Sequence, residues 1–412
     1  MVSRGDKKIL IISALDVWSI GKNVGAQSLW RTLEGYVNVG WGVIFITGSK
    51  GAQGKPVNNE EFPFKQLKIV RFDCKLLKKL SNLRKIGFFA TSLWWFYFQL
   101  QSIFKGILIA RKEKIDVFYG YEVDGVIAAK VLSIIFKKPV VSRFQGTLLS
   151  RYLSSDERLW KLKFWWHVLA LKTKTDLLIM ANDGTRGDLV LKKLGAGMSK
   201  VKFWVNGVDK DLFNGRPDNF QLRKKLKFSS KDKILLSVSR LERWKRVDRT
   251  IRALPHILEK IPSVKFVVIG EGSDRKYLEE TAKKFGVEKD VIFLGGIPHN
   301  KLGDYYNVAD IFVSMYDISN VGNPLLEAMS SGKCVVALDV GDTNKFILTE
   351  ENGVLVKKPS PEELTGVLTK LFNDEDKRRR LGYNAKRFAD KHIWSWQQRL
   401  ESEVNEVQNL LV

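Results

Sequence analysis

Cysteine is almost absent from this sequence: two residues in 412, Cys74 and Cys334, far apart along the chain. Two such distant thiols exclude a disulfide framework and a cysteine zinc site, and they fit a reducing, cytoplasmic compartment. Histidine is scarce too, with four residues and no metal-ligand spacing among them. The apolar run 9–12 is too short for the hydrophobic region of a signal peptide. The uncharged run 86–104 has the length of a membrane span, but Thr91, Ser92, Gln99, Gln101 and Ser102 make it a poor one. No G-x-x-x-x-G-K-[ST] loop occurs, which disfavours a P-loop ATPase. Gly270-Glu271-Gly272 lacks the third glycine of the dinucleotide fingerprint, which disfavours a dehydrogenase.

What the chain has in excess is positive charge, +24 overall. Residues 1–200 hold 33 Lys/Arg against 15 Asp/Glu, and residues 201–412 hold 36 against 30, so most of the excess lies in the first half. That half is expected to meet something anionic: an acidic membrane surface, a phosphorylated acceptor or nucleic acid. No nucleic-acid recognition module surrounds the basic residues, so nucleic acid is not the expected partner. Two stretches mix aromatic with basic residues. One is 86–104, with Trp94, Trp95, Phe96, Tyr97 and Phe98, preceded by Lys78, Lys79, Arg84 and Lys85 and followed by Lys105. The other is 158–174, with Trp160, Phe164, Trp165 and Trp166 among five basic residues. They read either as core helices or as an interfacial surface in the headgroup layer, where Trp, Tyr and Lys are favoured.

The composition, 44% hydrophobic and 28% charged, is globular, and the length suits two domains. Apolar runs at 8–13, 42–47, 116–119, 139–143, 176–181 and 202–205 alternate with amphipathic stretches. This is the rhythm of βαβ units in a parallel sheet covered on both faces. Residues 206–233 break it as a linker followed by a short amphipathic helix. It restarts with strands at 234–239, 264–269, 291–294, 311–315 and 334–338, a helix from Val247 to Ile261, and Ser273 placed to cap the next helix. The expected fold is α/β: two Rossmann-like doubly wound domains, residues 1–205 and 206–393, with a last helix at about 394–412. Ligands of such sheets sit outside the carboxyl ends of the strands, so a shared ligand is expected in the cleft that the two domains face.

The second half carries the strongest constellation. Arg240 ends a predicted strand and Lys245 follows on the loop. Two cations there suit a diphosphate and neutralise charge growing on a leaving phosphate. In Ser319-Asn320-Val321-Gly322-Asn323-Pro324-Leu325-Leu326-Glu327, Gly322 admits close backbone approach, and Asn323 and Pro324 suit the start of a helix whose free amides attract anions. Glu327 lies one turn in, able to accept hydrogen bonds from ribose hydroxyls. In the first half, the loop 14–26 with Gly21 and Gly25 is placed to cover donor phosphates.

These pieces, in this order, resemble the retaining glycosyltransferases of family four, which have the GT-B fold. The matching motifs are Val205-Asn206-Gly207-Val208-Asp209, Ser239-Arg240-Leu241 with Lys245, Val268-Ile269-Gly270-Glu271-Gly272, Phe293-Leu294-Gly295, Val308-Ala309-Asp310-Ile311, and Leu326-Glu327-Ala328-Met329 with Gly332 and Val335-Val336. The resemblance implies a UDP- or GDP-type sugar donor, transfer with retention, and no obligatory metal or other cofactor. It implies that Arg240 and Lys245 hold the diphosphate, that Glu327 holds the ribose, and that backbone around Gly295 and Ile297 meets the base. It also implies that the last helix crosses back onto the first domain. Two positions depart from the pattern. Ser319 stands where a sugar-binding glutamate is usual, eight residues before Glu327, with Asp317 or Asn320 as possible substitutes. Gln145 stands where many members have a histidine, and an amide is no general base. A leaving phosphate that takes the acceptor proton makes Gln145 tolerable.

The expected function is therefore a glycosyltransferase, peripheral on the inner face of the cell membrane, with a lipid-linked, phosphorylated or glycan acceptor. The rivals are a nucleotide-sugar epimerase or hydrolase on the same fold, and a catalytically weak binding subunit.

Overall fold

The computed structural model describes residues 7–15, 20–21, 24–25, 27–49, 64–73, 87–153, 159–197, 200–214 and 220–412. Cys74, Lys78, Lys79, Arg84, Lys85, Arg158 and parts of the loop 14–26 lie outside them. The chain forms two compact units. The first comprises Met1–Ala181, Arg186–Trp204 and Gln397–Val412; the second comprises Asn182–Thr185 and Val205–Trp396.

The first unit is built on a seven-stranded parallel sheet. Its spatial order is Leu67–Asp73, Gly42–Ser49, Lys8–Ser13, Val117–Tyr121, Val140–Phe144, Leu177–Ala181 and Val201–Trp204. The central strands are near-continuous apolar runs because helices cover both faces: Ile9 to Ile12, Val117 to Tyr119, and Leu177 to Ala181 are all buried. The second unit has a six-stranded parallel sheet in the order Val291–Gly295, Val264–Ile269, Lys233–Val238, Ile311–Ser314, Cys334–Leu338 and Val354–Val356. Numbered along the chain, that order is 3-2-1-4-5-6, the dinucleotide-fold arrangement. Both sheets agree with the expected Rossmann-like architecture. Two strands of these sheets escaped the sequence reading, Leu67–Asp73 and Val354–Val356. Ser273 does not cap the helix Arg275–Lys284: Asp274 occupies that position, and the Ser273 hydroxyl donates to Glu242 instead.

The unit boundary is less simple than one cut at residue 205. Asn182–Thr185 leaves the first sheet and joins the second unit, where the Val321 amide donates to the Asp183 carbonyl at 3.0 Å. The last helix, Trp396–Gln408, belongs from Gln397 onward to the first unit. A buried ionic cluster fixes it there. Glu403, fully buried, accepts from Arg143 at 2.9 Å, from Arg399 at 3.0 Å and from the Tyr119 hydroxyl at 2.7 Å. Arg143 also donates to the Thr32 hydroxyl. Burial alone raises the Glu403 pKa, but Arg143 and Arg399 outweigh it and hold the carboxyl below its ordinary range.

The helix Gly87–Lys112 is apolar on two faces. Inward, Trp94, Trp95 and Phe98 are buried against the sheet layer. Gln99, one of the polar residues that argued against a span, donates to the Asp124 carbonyl at 2.8 Å and accepts from the Ala128 amide at 3.0 Å. Outward, Phe89, Leu93, Phe96, Leu100 and Phe104 recur every three or four residues, each more than half exposed. Trp165 stacks on Phe96 with centroids 5.4 Å apart, while Leu159, Leu162 and Leu169 are exposed nearby in sequence to it. No helix among the described residues is long and apolar enough to cross a membrane.

Removing one partner from a buried charge cluster leaves the others uncompensated, at a cost of about 3–5 kcal/mol. Glu403→Gln is therefore expected to lower unfolding free energy by about that amount near neutral pH. Because the folded-state pKa is depressed, Glu403 stabilises fully above the ordinary carboxylate range and loses its effect as pH falls through the folded value. Urea unfolding of both proteins at neutral and acidic pH checks this; the gap between them should narrow on acidification.

Candidate functional site

In the second unit the strand order reverses between Lys233–Val238 and Ile311–Ser314. The loops after these two strands diverge there and open a crevice. Both predicted cation positions and the Ser319 loop fall on them.

The first loop is pinned before it reaches its cations. Leu241 is buried, and its amide donates to the Glu271 carbonyl at 2.9 Å. A Cβ on Gly270 would lie 1.8 Å from the Ser239 carbonyl oxygen, and one on Gly272 would lie 2.3 Å from that of Leu241. The two glycines of the Gly-Glu-Gly motif are thus there for backbone packing against the cation loop. The turn Arg243–Lys245 follows, then the helix Val247–Lys260. Arg240 is exposed, its guanidinium 5.7 Å from the Trp244 ring centroid. Lys245 is only 8% exposed. Its Nζ lies 4.1 Å from the Trp244 ring and 4.0 Å from the Tyr316 ring, and donates to the Ser319 carbonyl at 3.4 Å. Burial pulls the Lys245 pKa down to about 7; Asp183 opposes the fall and Arg240 adds to it.

The second loop is tied to the first where the Asp317 amide donates to the Trp244 carbonyl at 2.9 Å. The two residues considered as stand-ins for a glutamate at 319 have protein partners. Asp317 pairs with Arg249 at 2.7 Å and Arg246 at 3.5 Å. Asn320 is buried, its Nδ2 donating to the Tyr316 carbonyl at 2.9 Å. Asn320 thus shapes the loop through one of its two amide hydrogens. Ser319 sits in the left-handed region at φ 58°.

The helix Asn323–Ser330 begins at Asn323 itself, so its cap lies one residue earlier than expected. Gly322 holds the cap position and Asn323 is already helical. The Asn323 Oδ1 accepts from Asn206 at 3.1 Å, joining this helix to the Val205–Asp209 motif. Pro324 occupies the first turn, as read from sequence. Leu325 is buried in the core, so only its backbone remains for a ligand. Glu327 is neither exposed nor free-standing: it is 3% exposed, with Oε1 3.0 Å from His299 Nε2 and Oε2 accepting from the Tyr306 hydroxyl at 3.1 Å. His299 Nδ1 lies 3.6 Å from Asp209. This buried chain Asp209–His299–Glu327–Tyr306 orients a carboxylate whose remaining lone pairs can accept. His299 and Tyr306 were missed because nothing in their own neighbourhoods marks them. Gly295, at φ 72°, passes close to Glu271: a Cβ there would sit 2.6 Å from that carboxylate. Ile297 is half-buried against the core.

Three predicted residues belong to the first unit. Gln145 follows the strand Val140–Phe144; its Nε2 donates to the Tyr121 hydroxyl at 2.8 Å and its amide to Glu122 at 2.7 Å. Gly21 and Gly25 lie on a two-residue hairpin, Ile20–Gly21 against Val24–Gly25, and not on an open glycine loop.

Two Rossmann-like units, the second with its cations at the switch point, define the GT-B class of fold. Residues 218–388 match the family described as glycosyl transferases group 1. Over those residues the chain is similar to that family, and it is an enzyme that transfers glycosyl groups. It is similar to an uncharacterized glycosyltransferase of Methanocaldococcus jannaschii, 26% identical over 310 residues, 73% of this chain and 78% of that protein. It is also similar to the GDP-mannose-dependent alpha-(1-6)-phosphatidylinositol monomannoside mannosyltransferase of Mycolicibacterium smegmatis, 28% identical over 201 residues, 47% of this chain. The match spans about half of that relative's length, 52%. Among solved structures, sucrose-phosphate synthase from Thermosynechococcus elongatus shares the fold with a TM-score of 0.78 at 18% identity, covering 98% of this chain and 99% of that one.

Proposed function

We propose that the chain binds a nucleoside-diphosphate sugar on its second unit and transfers the sugar, with retention, to a lipid-linked or otherwise anionic acceptor at the cytoplasmic face of a membrane. The observation that carries the donor half is the meeting of Arg240, Lys245 and the Ser319 loop at the strand-order reversal. When the bond from the anomeric carbon to the phosphate oxygen breaks, its electron pair leaves with the diphosphate. Arg240 and Lys245 face that growing charge and stabilise it more in the transition state than in the ground state. The acceptor hydroxyl attacks the same face and its proton passes to the leaving phosphate oxygen. No protein base is then required, which suits Gln145, whose amide can orient a hydroxyl but cannot deprotonate it. Positive charge on the protein serves where a metal ion otherwise would. Glu327, held by His299 and Tyr306, accepts from the ribose, and backbone at Gly295 and Ile297 borders the base.

The acceptor half rests on the first unit's surface. The outward stripe from Phe89 to Phe104 sits on the more basic half of the chain, and the two features suit an anionic headgroup layer. Each Phe or Leu moved from water into the acyl boundary contributes up to about 1.5–3 kcal/mol. The scarcity of cysteine suits the cytoplasmic side. The mycobacterial relative is named for a phosphatidylinositol-type acceptor and a GDP-mannose donor, which makes a lipid acceptor the first to try.

Thermal unfolding with UDP, GDP and ADP tests the donor site. One of them is expected to raise Tm in the wild type and to do so at least tenfold less potently, by half-saturating concentration, in Arg240→Ala/Lys245→Ala. Equal potency in the double variant would remove the basis of the assignment. Vesicle sedimentation tests the surface. Wild type should pellet with anionic vesicles and much less with neutral ones, and Leu93→Gln/Leu100→Gln/Phe104→Gln should lose most of that binding. Equal recovery of wild type and variant would show that the stripe is not the contact.

A further inference from the structure

Three neighbouring strands of the first sheet, Val140–Phe144, Leu177–Ala181 and Val201–Trp204, run parallel. Their amino ends therefore meet at one edge, with Asp176 and Lys200 each one residue before a strand. The helix Glu122–Phe136 ends at the same edge, where Lys137 and Lys138 lead into Val140–Phe144. Together with Lys130 and Ile134 these residues line a hollow of about 460 Å³. That lies within the size range of small-molecule sites, roughly 300–1,000 Å³. Gln145 stands at the opposite, carboxyl end of the same strand. Five residues of strand separate it from the hollow, roughly 17 Å at about 3.3 Å each.

The hollow collects positive charge on a fixed frame. Lys137 closes the helix in the left-handed region at φ 52°. Buried Ser133 holds this turn from both sides: its carbonyl accepts from the Lys137 amide and from the Lys138 amide at 3.1 Å, and its hydroxyl donates to the Lys138 carbonyl at 2.6 Å. Lys130, Lys137, Lys138 and Lys200 form no ion pair among the described residues. Lys8, Lys68 and Lys202 of the same unit each reach a glutamate. Asp176, the one carboxylate of the lining, is engaged by the Val140 amide at 2.9 Å. Against Asp176 and the partial negative charge of the helix end, four lysines leave a clear positive excess. The lining has no aromatic ring to stack a base and no arginine fork for a planar carboxylate. Lysines are compact point charges with three donors each, which suits a group carrying several negative oxygens.

We infer that this hollow is a second anion site, separate from the donor crevice, and that it takes a multiply charged phosphate group, a phosphomonoester or a diphosphate. The assignment does not depend on the roles given to Arg240 and Lys245. Such a group comes either from a ligand free in solution or from a lipid headgroup. Ile134, 64% exposed on the rim, and Ile135, 50% exposed beside it, would lie toward the acyl chains of a lipid.

Calorimetry with inorganic pyrophosphate tests the site on the full chain carrying Arg240→Ala/Lys245→Ala, which removes the donor cations. Saturable binding is expected there. Adding Lys130→Gln/Lys137→Gln/Lys138→Gln/Lys200→Gln should weaken it at least about tenfold. A control of equal charge at exposed lysines of the second unit, Lys283→Gln/Lys284→Gln/Lys289→Gln/Lys370→Gln, should leave it within about twofold. Unchanged affinity in the first variant, or equal loss in the control, overturns the proposal. If the four-lysine variant does not fold, Lys137→Gln/Lys200→Gln, both exposed, should weaken binding by a smaller factor, and no change there overturns the proposal equally. Sedimentation with vesicles carrying phosphatidic acid or phosphatidylglycerol, matched in surface potential, separates the sources. A headgroup site predicts a preference for phosphatidic acid that the four-lysine variant loses. A site for a free ligand predicts pyrophosphate binding without that preference. Absence of both pyrophosphate binding and a lysine-dependent preference for phosphatidic acid overturns the proposal, while nucleotide binding by the wild type would still report on the donor crevice alone.

Discussion

Parallel pairing is the constraint on which both units depend. A parallel strand cannot be joined to its neighbour by a tight turn, so the chain must cross over between them, and the parallel strands end on the same edge. When the order of winding reverses, two adjacent loops must part. In the second unit these are the loops carrying Arg240 with Lys245 and Ser319 with Gly322. The crevice is a product of strand order, and the cations, glycines and aromatic rings are fitted to it. Gly270 and Gly272 hold the neighbouring loop close, Leu241 anchors the cation loop in the core, and Trp244 and Tyr316 close around the lysine.

The two cations behave differently because their surroundings differ. Arg240 is exposed. Lys245 is buried, and its charge is set by neighbours.

Much of this was legible in the sequence, for a physical reason. Strands covered on both faces must be apolar throughout, so Lys8–Ser13, Val264–Ile269 and Cys334–Leu338 announce themselves as runs. Leu67–Asp73 lies at a sheet edge and alternates buried with exposed positions, and Val354–Val356 is three residues long; neither makes a run. Arg240, Lys245 and Glu327 were found because each stands in a short motif of fixed order. Their supporting residues were not. His299 and Tyr306 reach Glu327 from a separate turn and helix. Folding brings such partners together without leaving a local pattern. In the helix Gly87–Lys112 polarity does not mark the solvent face: Gln99 bonds inward to its neighbour helix while the outward face is apolar.

The central claim is that a nucleoside diphosphate is held by Arg240 and Lys245 at the reversal of the second sheet. A crystal structure of the chain with the best-binding nucleoside diphosphate tests it most directly. The account predicts diphosphate oxygens about 2.7–2.9 Å from the Arg240 guanidinium and from Lys245 Nζ, with the ribose within reach of Glu327. A diphosphate bound elsewhere on the chain, or one that leaves both cations uncontacted, would contradict it.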